Sequence, residues 1–335
     1  MNLGKYDFVI VGGGVMGLTL SIELKKRFYK SSVLIIDKES SLGFHASGRN
    51  SGVMHAGFYY TSDSLKSKFT REGNATIRQY CKDKKLQINE CGKLVVCKND
   101  TDFKGLDELE KRAKYNNVEL HKISEKEAKK IEPRVITNRV ALWSPTTFSI
   151  NPIQVMESLL SDALGLGIKV VTDTRYLHSN RNNKIIVTSK GNYNYGYFIN
   201  SAGLYADKIA IEWGFSKKYR ILPFKGLYLN ANPLAYKPKV HIYPVPDLKF
   251  PFLGVHFTLT VDGLAKIGPT AIPVFWRENY QGFDRFNASE AIETVYREMD
   301  LWLKNKFNFR ALASAEIRKY NKNNMIKDAS MMLKN

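Results

Sequence analysis

The sequence predicts an α/β fold built on a dinucleotide-binding unit, and three observations point to it. A short apolar strand runs directly into a glycine loop. A second short strand ends on an acidic residue. A long Gly/Ser-rich segment then replaces the regular helix and strand alternation expected of a nicotinamide enzyme.

The first strand is Tyr6–Val11 (YDFVIV), a β-branched run suited to a buried parallel strand. Gly12-Gly13-Gly14-Val15-Met16-Gly17 follows at once, and an apolar-periodic helix is expected through about Phe28. Val33–Ile36 forms the second strand and leads to Asp37, 20 residues beyond Gly17. This is a Rossmann-like βαβ unit carrying G-x-G-x-x-G on Gly12, Gly14 and Gly17. Gly12 admits the tight turn, Gly14 lets the backbone approach a pyrophosphate, and Gly17 lets the helix pack closely on the strand. The helix start offers unpaired N–H groups to phosphate, and Asp37 suits the ribose hydroxyls.

The fingerprint alone does not separate FAD from NAD. The segment Lys38–Tyr60 (KESSLGFHASGRNSGVMHAGFYY) does, because it is a long polar loop dense in backbone donors, suited to wrapping a flavin dinucleotide. Lys38, Ser47, Arg49, Asn50, Ser51 and Gly52 are its candidate FAD-binding residues, joined by Ala202 and Gly203 at the end of a later strand.

Composition sets the remaining bounds. At 335 residues, 44% hydrophobic and 12% aromatic, the chain has enough apolar material for two domains. No run is long enough to span a bilayer, and Phe8–Val11 is too short for a signal peptide, so cytoplasmic residence is expected. Cys81, Cys91 and Cys97 form no CxxC pair and are expected to be free thiols. The net charge of +19 is spread from Lys25 to Lys334 without a recognised nucleic-acid module, so no nucleic-acid partner is expected. Its anticipated consequence is weak steering of anions.

Beyond the fingerprint, Asn50–Tyr60 (NSGVMHAGFYY), Cys91–Val95 (CGKLV), Ser201–Asp207 (SAGLYAD), Ile242–Thr258 (IYPVPDLKFPFLGVHFT) and Gly268–Ala271 (GPTA), followed by Arg277, form a longer pattern. It resembles the FAD-dependent L-2-hydroxyglutarate oxidases and dehydrogenases, within the D-amino-acid-oxidase-like flavoproteins. The resemblance implies an α+β chain overall, with a discontinuous FAD-binding domain over about 1–85 and 145–220. An interleaved antiparallel-sheet substrate domain would take about 86–144 and 221–310. Phe103–Pro133 reads as a charged helical excursion, and Lys184–Asn200 as a hairpin turning at Gly191–Asn194. Arg310–Asn335 reads as a polar helical tail unlike the flavin-facing C-terminal segment of the family, so that segment is expected to be lacking.

The resemblance further implies a small anionic 2-hydroxy acid as substrate. The electron acceptor, oxygen or a membrane quinone, stays open, as does peripheral association with the inner face of the membrane. An amino-acid or glycerol-3-phosphate oxidising flavoenzyme of the same group, or a truncated flavoprotein without activity, are the alternatives. Such chemistry requires a base for the hydroxyl proton and cations for the carboxylates, and histidine suits the base. His256, on a substrate-domain strand in PFLGVH, is the first candidate and His55 the second. His121 and His178 are expected to be solvated, and His241 to be an exposed position preceding a strand. Lys225 and Arg277 are the candidate carboxylate ligands. Family members typically carry Arg where this chain has Lys225, and an acid where it has Leu227. Tyr59, Tyr60 and Tyr243 are candidates for the pocket lining.

Overall fold

The structure, a computed structural model, describes residues 1–231, 237–247 and 254–334. Pro251, Phe252 and Leu253 of PFLGVH, and residues 248–250 before them, lie outside the described residues, as do 232–236 and Asn335. The chain divides into two compact units, Met1–Asn50 with Pro152–Ile221, and Ser51–Asn151 with Leu222–Asn335.

In the first unit, Asn2–Val11 pairs in parallel with Val33–Ile36 on one side and Gly191–Asn200 on the other. The six-stranded order is Tyr176–Asn180, Ile185–Thr188, Gly191–Asn200, Asn2–Val11, Val33–Ile36, Lys169–Val171. Val9, Ile10 and all of Val33–Ile36 are buried, as a parallel strand covered on both faces requires. Helices Val15–Arg27 and Pro152–Gly165 pack against one another. The expected hairpin is present, but it turns at Ser189-Lys190 and Gly191–Asn194 belongs to the returning strand. Thr188 Oγ1 donates to Gly191 O, and Gly191 sits at φ +145°, which lets the chain reverse two residues early.

The second unit holds a seven-stranded sheet in the order Leu229–Asn230, Ala265–Gly268, His256–Leu259, His241–Pro244, Lys93–Val96, Val140–Ser144, His121–Ser124. Its neighbours are antiparallel except His241–Pro244 with Lys93–Val96. A three-stranded sheet of Val53–Met54, Phe148–Ile150 and Ile88–Asn89 lies in the same unit.

Three expectations are revised here. Segment 51–85 clusters with the second unit, because Val53–Met54 pairs with Phe148–Ile150 and helix Leu65–Asp83 is tied to that sheet through Asn74. The charged stretch 103–133 contains helices Phe103–Tyr115 and Glu125–Ile131 and also the strand His121–Ser124, and its helices bury Leu106, Leu109 and Ala113. The tail is helical over Phe309–Arg318 and Lys322–Ser330, but it is part of a core. Met325, Ala329, Met332 and Leu333 pack with Leu94, Val96 and Ile242, and Leu333 bridges Val135. Most polar residues of the tail face outward while one stripe of each helix is apolar, and the buried Glu316 accepts the Ala271 N–H. Among the described residues no helix is long and apolar enough to cross a membrane.

Candidate functional site

The glycine loop of the first unit is packed as tightly as its sequence implies. A Cβ on Gly12 would lie 2.2 Å from Ser201 O and 3.0 Å from Ala202 Cα, and Gly12 has φ +107°. A Cβ on Gly17 would lie 2.0 Å from Gly12 O. Gly14 opens the helix without a side-chain cap, and its own Cβ position faces Ser47 Oγ at 3.1 Å. Ser47 Oγ accepts the Val15 N–H at 3.0 Å. The N–H groups of Gly14, Met16 and Gly17 have no partner among the described residues. Unpartnered donors at a helix N-terminus, floored by glycine, fit a pyrophosphate.

Asp37, expected at the ribose, also braces the loop. Its Oδ2 accepts the Gly13 N–H at 2.7 Å and its Oδ1 accepts the Glu39 N–H at 2.9 Å. Each carboxylate oxygen keeps a lone pair for a ribose hydroxyl. Lys38 pairs with Glu39 at 2.6 Å and lies over the Tyr205 ring, and His45 Nε2 reaches the same Glu39 carboxylate at 2.9 Å. Arg49 folds back on Phe44, donating to its carbonyl, and Asn50 caps the carbonyls of Ala46 and Ser47. Ala202 N is held by Asn200 Oδ1, and Gly203, at φ +52°, starts a short helical turn. Ser51 and Gly52 fall in the second unit, where Gly52 O accepts the Ile150 N–H.

The second unit contains a buried cluster of titratable groups. His55 follows strand Val53–Met54, and Asn74 on helix Leu65–Asp83 clamps its backbone by donating to Met54 O, His55 O and Thr146 O. His55 Nδ1 lies 3.5 Å from Lys93 Nζ, and Nε2 has no hydrogen-bond partner among the described residues. Lys93 is 0% exposed, first in the wholly buried strand Lys93–Val96. Its ammonium position lies over the rings of Phe58 and Tyr59, each at 4.5 Å, and Tyr243 at 4.9 Å. Burial pushes Lys93 down to about 7. Desolvation first, then the Lys93 charge, holds His55 well below the usual imidazole range. The Tyr59 hydroxyl is buried without a partner, at a cost of about 1–3 kcal/mol unless water or a ligand meets it.

His256, the first-ranked candidate, stacks on Tyr243 with centroids 3.6 Å apart, and its Nδ1 lies 2.9 Å from Gly254 O. His241 is fully buried rather than exposed. The parallel pairing with Lys93–Val96 draws it inside, where Nδ1 accepts the Leu259 N–H at 3.0 Å. Burial lowers both histidines to about 3. His121 and His178 are exposed. Tyr60 carries Lys66 over its ring. Lys225 Nζ lies 3.4 Å from Asn279 O, and Arg277 is buried, its N–H donating to Glu290. The three cysteines are free, and burial pushes Cys91 up to about 11 and Cys97 up to about 12, which keeps them as thiols.

Lys93 went unassigned among the sequence candidates. Its signal was the lysine of CGKLV, a charge inside an otherwise apolar buried run.

These neutral histidines set an acid limit on stability. An unfolded imidazole titrates near 6.5, while His241 and His256 stay neutral in the fold down to about 3. The unfolded state therefore binds more protons across that interval, and stability falls as pH drops through it, by up to ~1.4 kcal/mol per pH unit for each histidine. Urea midpoints between pH 6.5 and 4 are expected to fall steeply. His241→Asn, which keeps an acceptor for Leu259 N–H, is expected to flatten the slope; an unaltered slope would show that His241 titrates normally.

Residues 7–315 match the family described as FAD dependent oxidoreductase. The chain belongs to that family. FAD is accordingly its cofactor, and the unpartnered N–H groups of Gly14, Met16 and Gly17 are of the kind that suits a pyrophosphate. The mitochondrial L-2-hydroxyglutarate dehydrogenase of Pongo abelii is 36% identical over 310 residues, covering 88% of this chain and 74% of the relative. The L-2-hydroxyglutarate dehydrogenase of Escherichia coli (strain K12) is 32% identical over 294 residues, covering 87% and 69%. The resemblance drawn from the sequence motifs is borne out by these relatives. Among solved structures, the dithionite-reduced L-α-glycerophosphate oxidase of Mycoplasma pneumoniae with FAD bound matches with a TM-score of 0.71 at 24% identity, over 84% of this chain and 75% of that one. At that identity the likeness concerns the fold.

Proposed function

We propose that this flavoprotein oxidises L-2-hydroxyglutarate, or a closely related 2-hydroxy acid, to the 2-oxo acid. The observation that carries the reading is the identity of 32–36% to L-2-hydroxyglutarate dehydrogenases across nearly nine-tenths of the chain. FAD supplies, when bound, a hydride acceptor at flavin N5. The chain must supply the base, the carboxylate ligands and a dry setting.

We assign the base to His55 ahead of His256. Both are neutral near pH 7; His256 Nδ1 donates to the Gly254 carbonyl, which leaves its Nε2 an acceptor, but its ring is pressed face-on against Tyr243 and the carbonyl behind Nδ1 cannot take a proton. His55 has an unengaged Nε2 and a second basic group behind Nδ1. Lys225 and Arg277 are the cations we propose for the two carboxylates, with Tyr60 and Tyr243 as lining. Arg277 offers the planar fork that grips a carboxylate bidentately, while Lys225 contributes a point charge. The electron acceptor, oxygen or a membrane quinone, would act after the flavin is reduced.

Anaerobic mixing of FAD-loaded protein with L-2-hydroxyglutarate is expected to bleach the oxidised flavin band. Bleaching by glycerol-3-phosphate or an amino acid instead, with none by L-2-hydroxyglutarate, would replace the substrate and leave the flavin assignment standing.

A further inference from the structure

Lys93 is a buried cation site without a counter-ion. Among the described residues no Asp or Glu lies within ion-pair distance of its Nζ, and its polar neighbour is His55 Nδ1 at 3.5 Å. An amine in that position is expensive to leave charged in a dry interior, yet three aromatic faces surround it and favour the ammonium. Both protonation states are thus accessible near neutrality, and each dictates a different form of His55. A charged Lys93 donates to the Nδ1 lone pair, so the proton of neutral His55 sits on Nε2 and the ring cannot act as a base there. A neutral Lys93 accepts from Nδ1–H, and Nε2 is left with its lone pair.

We propose that Lys93 is a positioning residue that selects the reactive tautomer of His55 and stores the proton that His55 removes. The inference rests on the reading of His55 as the base. As hydride leaves the substrate carbon for the flavin, the substrate O–H bond breaks and an N–H bond forms at His55 Nε2. The Nδ1–H bond of His55 breaks and an N–H bond forms at Lys93 Nζ. His55 ends neutral, and the aromatic cage holds the new ammonium. The groups facing this pair are His241 and His256, both neutral; Tyr59, Tyr60 and Tyr243; and Lys66 on helix Leu65–Asp83. The tyrosine hydroxyls of Tyr59 and Tyr243 are held protonated by burial. Lys93 is therefore the group of this cluster that changes charge near pH 7.

The test is the tautomer of His55 in the FAD-loaded full chain, read by 15N NMR of labelled histidine and assigned by the signal lost in His55→Gln. The wild type is expected to convert from the Nε2–H form to the Nδ1–H form as pH rises through about 7. In Lys93→Met, similar in length and apolar, the conversion is expected to disappear. The rate of flavin reduction at pH 8 should then fall by about tenfold or more, with substrate affinity retained and the pH dependence near 7 lost. Lys93→Arg, which keeps the charge but does not shed its proton, should be no faster than Lys93→Met. An Nε2–H tautomer at every pH in the wild type overturns the proposal, even where no Lys93 variant folds. So does an unchanged pH profile in a Lys93→Met protein that keeps its flavin. Full-speed reduction in His55→Gln overturns the assignment of the base instead, which separates the two failures.

Discussion

Gly12→Ala is expected to yield a protein that no longer retains FAD. Two independent costs meet at this position. The added Cβ would sit 2.2 Å from Ser201 O and 2.6 Å from its carbonyl carbon, a distance that real side chains do not reach. The backbone at φ +107° is also one that alanine adopts only with strain. Overpacking against rigid backbone and a forced dihedral together amount to roughly 2–6 kcal/mol. The loop has no inexpensive escape, because Gly12 N–H is bonded to Ile36 O and Ser201 N–H to Val11 O. Relief must come by moving the turn that aims the helix N–H groups, so flavin is lost even where the sheet survives. Flavin absorbance after gel filtration, with a thermal midpoint alongside, checks this. A yellow protein of unchanged midpoint would mean that the strand ends can separate freely. Gly14→Val is the gentler companion: among the described residues its Cβ meets only Ser47 Oγ, so it should lose flavin while the fold keeps its stability.

The second large effect concerns His55. His55→Gln keeps a polar side chain of similar reach but removes the proton acceptor, and the rate of flavin reduction is expected to fall by about 10²–10⁴-fold. Substrate affinity should change little, because the cations proposed for the carboxylates are elsewhere on the chain. Rapid-mixing kinetics under anaerobic conditions separate these quantities. His256→Gln provides the contrast: with its ring face-on against Tyr243 and no second base behind Nδ1, it should act mainly through packing on Tyr243 and lower stability more than rate. A larger rate loss in His256→Gln than in His55→Gln would restore His256 as the base.

How legible these features were depended on how far apart in the chain their parts lie. The glycine turn was readable because Val11, Gly12, Gly17 and Asp37 sit within one βαβ unit, where spacing alone dictates which atoms approach. The polar loop Lys38–Tyr60 pointed to the flavin, and the longer motif resemblance to the hydroxy acid. His241 was misplaced because an isolated strand start looks solvent-facing; only its parallel register against Lys93 buries it. The cage around Lys93 was invisible for the same reason. Phe58 and Tyr59 come from the segment after Val53–Met54, while Tyr243 comes from a strand that begins at His241, far later in the chain than Lys93 itself. No local pattern encodes that meeting. The cut at residue 50 rather than 85 likewise follows from Asn74 reaching three carbonyls, a tie that composition does not reveal.

Each of the two units is assembled from two stretches of chain separated by a stretch of the other. On the ribosome, Asn2–Val11 and Val33–Ile36 therefore emerge early and wait for Gly191–Asn200 to complete their sheet. Lys93–Val96 waits for His241–Pro244 on one edge and, longer still, for the helix carrying Met325 and Ala329 over one face. During that interval the nascent protein displays apolar strand edges that folding has not yet closed, the kind of non-local pairing that closes slowly and leaves a chain open to aggregation. For the same reason no contiguous fragment consists of either unit alone: residues 1–221 hold the first unit whole but carry 51–151 of the second with it.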